Sequence, residues 1–269
     1  AELKPQHIFN QWVIHEFQNL YKAVQQNYKN YYFHEVANHL YHFTWHTFCD
    51  WYIELSKNLL DSNDFKDETK YTFHIVFNSL LQLLHPVIPF ITEKLWSLNN
   101  KNILMTHQWS YNDLIIDHSS VDKANDFIDF IEEYRSFEKL FDIKKDDEVL
   151  IFSNNSNLQN LLTQNKDVLE FLTRKKLSLN PLSKGITLPF KKYDFVLETN
   201  QIDKLKIQNK LSDNQKKLQK EKEGIDKNLS NSNFTERAPK ELIDQNQKRQ
   251  LSINLELSKI ESILNTLNG

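Results

Sequence analysis

The sequence predicts a mainly α-helical protein: a helical bundle, a small α+β module, and a C-terminal antiparallel two-helix coiled coil. Three observations carry the helical part. The 269 residues include only 3 Gly and 6 Pro, too few turn-formers for a chain of many short strands. Apolar residues recur at helical spacing through the first 113 positions. Near the end, Ile253, Leu257, Ile260, Leu264 and Leu267 are spaced 4, 3, 4 and 3, which is a heptad seam.

The bundle is expected over residues 1–113. Its first helix runs from Ile8 to Tyr28, with Ile8, Trp12, Phe17, Leu20, Tyr21 and Val24 on one face and a soft start at Asn10 and Gln11. A second helix runs from about Phe33 to Leu60. Val36, Leu40, Phe43, Trp45, Phe48, Trp51, Tyr52 and Leu55 nearly fill its circumference, so Phe43, Trp45, Phe48 and Trp51 are expected in the core. Asp61-Ser62-Asn63-Asp64 is the turn into a third helix, from about Asp67 to Leu84. Then comes LLHPVIPFITEKLW, with two prolines three residues apart. Pro86 biases His85 away from helix, which ends the third helix there. Pro89 suits the first turn of a new helix, where its missing N–H is no loss. Thr92 and Glu93 fall in or near that turn, and Phe90, Ile91, Leu95 and Trp96 form the apolar face. The stretch reads as a helix–corner–helix that stays in the core.

Residues 114–200 have mixed character. Ala124 to Leu140 is helical by period, with Phe127, Ile128, Ile131, Tyr134 and Leu140 on one side. Glu148 to Ser153 reads as a strand and Leu158 to Lys176 as a helix. Gly185 to Pro189 and Tyr193 to Leu197 alternate like strands. Residues 201–269 form the arm. Ile207, Leu211, Leu218 and Ile225 continue the seam upstream, although Asn214 and Glu221 interrupt it. Leu229 to Pro239 is the turn, and each helix is about 30 residues, or about 45 Å, long. Gly224 is a candidate bend in its first helix.

Composition narrows the chemistry. The single cysteine excludes an intrachain disulfide framework and a cysteine-cluster zinc site. No signal peptide is evident and no apolar run approaches the ~20 residues of a membrane span, so the expected location is cytoplasmic. The chain starts Ala1-Glu2-Leu3-Lys4 without an initiator methionine and is expected to be a fragment of something longer. Residues 1–113 and 114–201 each carry a net charge of −3, whereas 202–269 carry +3. Binding of a polyanion by bulk charge is therefore expected at the arm.

His39, His42 and His46 share a helix face that Asp50 continues and Glu35 precedes, which allows a metal-site reading. No second cluster and no HExxH motif supports it, and interfacial histidines in an aromatic-rich helix account for the pattern better. Cys49, among Trp45, Phe48 and Trp51, reads as a buried, inert thiol. There is no phosphate-cradling glycine loop and no supported pair of catalytic carboxylates. By its own residues the chain reads as a binding protein, with a protein-interaction module as one alternative and a metal-dependent enzyme as another.

The run from Leu40 to Lys57, containing FCDWYIE, resembles the FCDWYxE signature of the valyl-tRNA synthetase anticodon-binding bundle. LLHPVIPFITEKLW resembles that family's HPxxPFxTExLW signature, which the isoleucyl and leucyl synthetases share in part. Ile103 to Trp109 looks like the following segment, with Ser110 where a proline is usual. Asn233 to Lys240 is similar to the tip of the family's C-terminal arm. The resemblance covers nearly the whole chain and implies a class I aminoacyl-tRNA synthetase, whose bundle packs on the anticodon stem-loop and whose arm supports the outer corner of the tRNA. The equivalent region of an isoleucyl or leucyl enzyme is the near alternative. Neither the HIGH nor the KMSKS motif of the family's catalytic domain occurs here, so no catalytic residue, metal or cofactor is expected in this chain. The resemblance places the use of ATP and magnesium, and the editing activity, in other parts of the ligase. The implied partners are valine tRNA and the rest of the synthetase chain, with no membrane and a monomeric state.

Relatives often carry arginines on the first helix, where this chain has none. His15, Gln18, Asn19 and Lys22 are the polar groups expected on its exposed face as anticodon contacts. On the arm, Lys216, Lys217, Lys220, Lys222, Lys227 and Arg237 are the expected phosphate contacts.

Overall fold

A computed structural model describes residues 4–109, 114–141, 143, 151, 153, 155–176, 178, 185–190, 193–198, 204–231, 234 and 238–268. The described chain is mainly helical and divides into two compact units, 1–128 and 129–269. The division falls inside one helix.

In the first unit, α1 (Ile8–Lys29) is packed by α2 (Phe33–His42), a π-helical stretch (Phe43–Tyr52) and α4 (Lys66–Leu84). The π stretch continues into α3 (Ile53–Asp61). Its aromatic core includes Phe9, Phe17, Phe43, Phe48 and Tyr52, each at most 5% exposed. Phe17 meets Phe43 edge-on at 5.7 Å, and Phe48 lies 5.4 Å from Phe73.

The start of α1 is not soft. Asn10 and Gln11 are buried, and Asn10 Nδ2 donates to Glu68 Oε1 at 2.7 Å and to Thr69 Oγ1 at 3.0 Å. The Glu68 carboxylate also accepts from the backbone N–H groups of Gln6 and His7, and Tyr52 Oη donates to Asn10 Oδ1. Glu68 thereby satisfies donors at the end of α1, where negative charge also meets the positive end of the helix dipole. At the other end, Tyr32 N–H donates to Asn27 O and Tyr31 N–H to Tyr28 O, a Schellman closure. Tyr31 has φ 60°, the left-handed conformation that this closure usually reserves for glycine.

The second predicted helix is continuous, but ten of its residues, FTWHTFCDWY, are π-helical. The wider turns bring Phe43 and Phe48 to one side, with their rings stacked at 6.4 Å. Trp45 is turned outward, 56% exposed, and Cys49 is exposed as well. The expectation that both are buried is therefore wrong, because it assumed the α-helical period.

The corner forms where the prolines demand. α4 ends at Leu84, and α5 (Pro89–Trp96) starts on Pro89. It is a surface corner rather than a buried one: Val87, Ile88, Phe90 and Ile91 are 46%, 42%, 91% and 52% exposed. Its polar residues hold it together. His85 Nδ1 lies 2.8 Å from Thr92 Oγ1, and Glu93 Oε1 accepts from Leu104 N–H at 2.9 Å in the 3-10 turn Leu104–Thr106. Trp96, buried against Leu81 and Leu104, donates from Nε1 to Asn102 O.

Helix α6 (His118–Phe141) contributes Phe127 to the first unit, 5.1 Å from Phe9. In the second unit, its Phe130, Tyr134 and Phe137 surround Phe195 on β2; Phe137 and Phe195 stack at 4.5 Å. Strands β1 (Gly185–Phe190) and β2 (Tyr193–Glu198) pair antiparallel in the register Gly185↔Glu198 to Phe190↔Tyr193. The helix expected over 158–176 is two, α7 (Ser156–Gln164) and α8 (Lys166–Thr173). Asn165 breaks it: its φ of −115° is not helical, and its Nδ2 donates to the Leu161 carbonyl. Of the strand expected over 148–153, Ile151 makes a single bridge to Lys176 and Ser178; residues 148–150 and 152 lie outside the described residues.

The arm consists of α9 (Lys204–Leu229) and α10 (Lys240–Asn268), and β1 packs against α10. Leu211, Leu218, Ile225, Ile253, Ile260, Ile263 and Leu267 are buried; Leu257 and Leu264, placed in the seam by the heptad, are only half-buried. Arg249 ties the two helices by a fork to Glu221, at 2.8 and 3.0 Å, and also bonds Glu256. α9 passes through Gly224 without a break.

Candidate nucleic-acid interface

The four residues expected on the open face of α1 do not share one. Gln18 is 7% exposed, and its Nε2 donates to Leu114 O at 2.9 Å. It ties α1 to the segment entering α6, as does Gln11, whose Oε1 accepts from Asp117 N–H at 2.7 Å. Gln18 is thus a buried strut and not a free recognition group. His15 is half-buried, its Nε2 is 3.0 Å from Asn19 Nδ2, and its ring meets His118 edge-on at 5.5 Å. Asn19 and Lys22 are exposed. Of the four, the His15–Asn19 pair and Lys22 are left to meet a ligand.

The histidine row is on the surface as well. His42 and His46 have ring centroids 5.5 Å apart, and His46 Nδ1 is 3.3 Å from Asp50 Oδ2. Tyr41 packs edge-on against both. Among the described residues, no group of three His, Cys, Asp or Glu is arranged to hold a metal ion. Burial and the neighbouring Asp50 raise the Cys49 thiol, so it is a weak nucleophile despite its exposure.

On the arm, Lys216, Lys217, Lys220 and Lys227 are exposed. At ~100° per residue, Lys216, Lys220 and Lys227 lie roughly opposite the Leu211–Leu218–Ile225 seam and point away from α10. Lys222 falls beside the seam and is half-buried, so it leaves this stripe. Asp213 and Glu223 interleave with the lysines and temper the field. Arg237 lies outside the described residues.

Pattern reading missed a surface at the C-terminal end of α1. A cavity of about 370 Å³ is lined by Gln25, Tyr28, Lys29, Pro86 and Trp109. Tyr28 and Trp109 have ring centroids 6.0 Å apart. Burial raises the Tyr28 hydroxyl above its ordinary range and keeps it a neutral donor. The sequence signal was the run of aromatics at Tyr28, Tyr31, Tyr32 and Phe33, which continues past the helix end, where burial no longer explains it. No helix among the described residues is long and apolar enough to cross a membrane.

A bundle built on the FCDWY helix and the proline corner, followed by a helical arm with an outward lysine stripe, defines a class. The chain belongs to the family of anticodon-binding domains of tRNA ligases, whose model matches residues 10–151. Residues 202–268 match the valyl tRNA synthetase tRNA binding arm, which favours the valyl over the isoleucyl and leucyl alternatives. The chain is similar to the valine–tRNA ligase of Pelagibacter ubique, 33% identical over 264 residues, covering 93% of this chain and 30% of that protein. It is also similar to those of Mesoplasma florum, at 28% over 265 residues, and Aquifex aeolicus, at 25% over 292 residues. These matches cover 96% and 100% of this chain but 30% and 25% of those proteins. The chain thus spans less than a third of the length of these relatives.

Proposed function

We propose that this chain is the tRNA-binding C-terminal part of a valine–tRNA ligase. The bundle meets the anticodon stem-loop, and the arm holds the outer corner of the tRNA, so that the parent enzyme attaches valine with ATP. The observation that carries this reading is the order and extent of the two matches, an anticodon-binding domain over 10–151 followed by a valyl arm over 202–268.

Exposed Asn19 and Lys22, with the His15 ring, offer donors and a cation to the loop. Unstacked loop bases expose their edges and faces to such groups, unlike the bases of an A-form stem. Lys216, Lys217, Lys220 and Lys227 offer phosphate contacts, which position the RNA without reading its sequence. ATP and magnesium act in the part of the ligase that carries HIGH and KMSKS motifs, neither of which occurs in this chain. The protein works as a monomer in the cytoplasm, with valine tRNA and the rest of the ligase chain as its partners.

The test is a titration of the chain with valine tRNA and with the same tRNA changed in its anticodon. The changed tRNA is expected to bind more weakly, and both affinities to fall as salt rises. Equal affinity for the two removes the anticodon role.

A further inference from the structure

The junction between α2 and the π-helical stretch carries a histidine pair that the proposed RNA contacts do not use. His42 is the last residue of α2 and His46 the fourth of the π stretch, and both are exposed. Four residues are close to one turn in either kind of helix, so the two rings stand on one face. Their centroids are 5.5 Å apart and their planes 35° from parallel. Two imidazoles that each hold one ion at about 2.0–2.1 Å have centroids roughly 5 Å apart. A small side-chain adjustment therefore brings this pair to chelating distance.

The surroundings suit a cation. His46 Nδ1 lies 3.3 Å from Asp50 Oδ2. A carboxylate accepts and does not donate, so Asp50 holds the proton on Nδ1 and leaves the Nε2 lone pair of His46 for a ligand bond. A carboxylate behind a histidine is the arrangement that orients the ring and raises its basicity at metal sites. Tyr41 packs edge-on against both rings, at 5.9 and 6.2 Å, and limits their rotation. His15 and His118 also meet, but their planes stand at 83° and His15 Nε2 lies 3.0 Å from the Asn19 amide, which makes them the poorer chelator.

We propose that His42 and His46 chelate one divalent transition-metal ion in an open, exchangeable site, with Asp50 as the positioning residue and water completing the shell. Imidazole suits Zn(II), Cu(II) and Ni(II), and Cu(II) binds tightest in the divalent series. Two protein ligands are fewer than the four of a structural zinc site or the three of a catalytic one. The bound ion instead clamps the junction between the two kinds of helix and stabilises the folded chain by mass action.

The test uses the full chain and NiCl2, because Cu(II) oxidises thiols and Cys49 is exposed. Calorimetric titration is expected to show one Ni(II) site that weakens as pH falls, since protons compete for the imidazole nitrogens. His42→Ala and His46→Ala are each expected to weaken it by about 100-fold, as loss of one arm of a bivalent contact does. Asp50→Ala is expected to weaken it by about 10-fold, and Asp50→Asn, which still accepts from Nδ1, to restore part of the loss. Ni(II) is expected to raise the thermal midpoint of the wild type and not that of the histidine variants. Circular dichroism reports folding, and His42→Gln and His46→Gln, which keep bulk without an imidazole, serve where an alanine variant unfolds. Unchanged Ni(II) affinity in either folded histidine variant overturns the chelate, as does a wild-type chain without a Ni(II) site. Loss of binding in both histidine variants with wild-type affinity in Asp50→Ala supports the chelate and overturns the role of Asp50.

Discussion

Tyr31 sits at the one position of the α1 closure where a Cβ is unwelcome. Its left-handed φ is disfavoured by roughly 1–2 kcal/mol for a residue with a Cβ. Tyr31→Gly is therefore expected to stabilise the chain by about 1 kcal/mol in urea unfolding. His7 gives a pH signature. Its Nδ1 accepts from Phe9 N–H at 3.3 Å, and burial drives its pKa from 6.5 down to about 4, against the opposing pull of Glu68. Between pH 6.5 and 4 the unfolded chain binds the proton that folded His7 refuses, so stability falls as pH falls through that window. The span of the shift sets up to about 3 kcal/mol for this effect. His7→Asn, which can still cap α1, is expected to flatten that part of the pH profile of unfolding. An unchanged slope in the variant would assign the pH dependence to other groups.

The FCDWY signature shows what an element can hide from its own period. Phe48 and Tyr52 face the core and Cys49 and Asp50 face water, in a π-helical stretch that hydropathy at ~3.6 residues per turn cannot phase. The Tyr52 hydroxyl completes the buried Asn10–Glu68–Thr69 cluster that starts α1. Tyr52→Phe leaves Asn10 Oδ1 without that donor and is expected to destabilise the chain by about 1–3 kcal/mol, measured as a shift in denaturation midpoint at constant m. The corner behaved differently. Both helix ends were legible from Pro86 and Pro89, because proline acts on the backbone it belongs to. Its exposure was not legible, since Phe90 looks the same in a sequence whether a neighbour covers it or not. Gln18 shows the converse: a polar residue on a predicted surface is buried because the Leu114 carbonyl, 96 residues later, comes back to meet it.

For the whole molecule, charge separates two kinds of recognition. To the proposed RNA partner the segment 1–113, at −3, offers aromatic faces and directed hydrogen bonds, whereas the segment 202–269, at +3, offers its field. Reversing Lys216, Lys220 and Lys227 together to Glu is expected to weaken tRNA binding and to lower the salt slope by about 2–3, at roughly 0.9 per lost duplex phosphate contact. The anticodon preference proposed above is expected to stay the same. A slope that does not move would remove these lysines from the interface.

The sequence alone determined the helical class, the ends of α4 and α5, the strand pair and the two arm helices. Each follows from local chemistry: periodicity, proline geometry, alternation, and the shortage of glycine. The tertiary structure decided which faces are covered, and so which polar groups remain to bind. It sent Trp45 and Cys49 outward and Gln18 inward, and it gathered Tyr28, Pro86 and Trp109 around one cavity. Burial is a property of what arrives from elsewhere in the chain, and the partners of Gln18 and Tyr28 arrive from some 60 to 100 positions away.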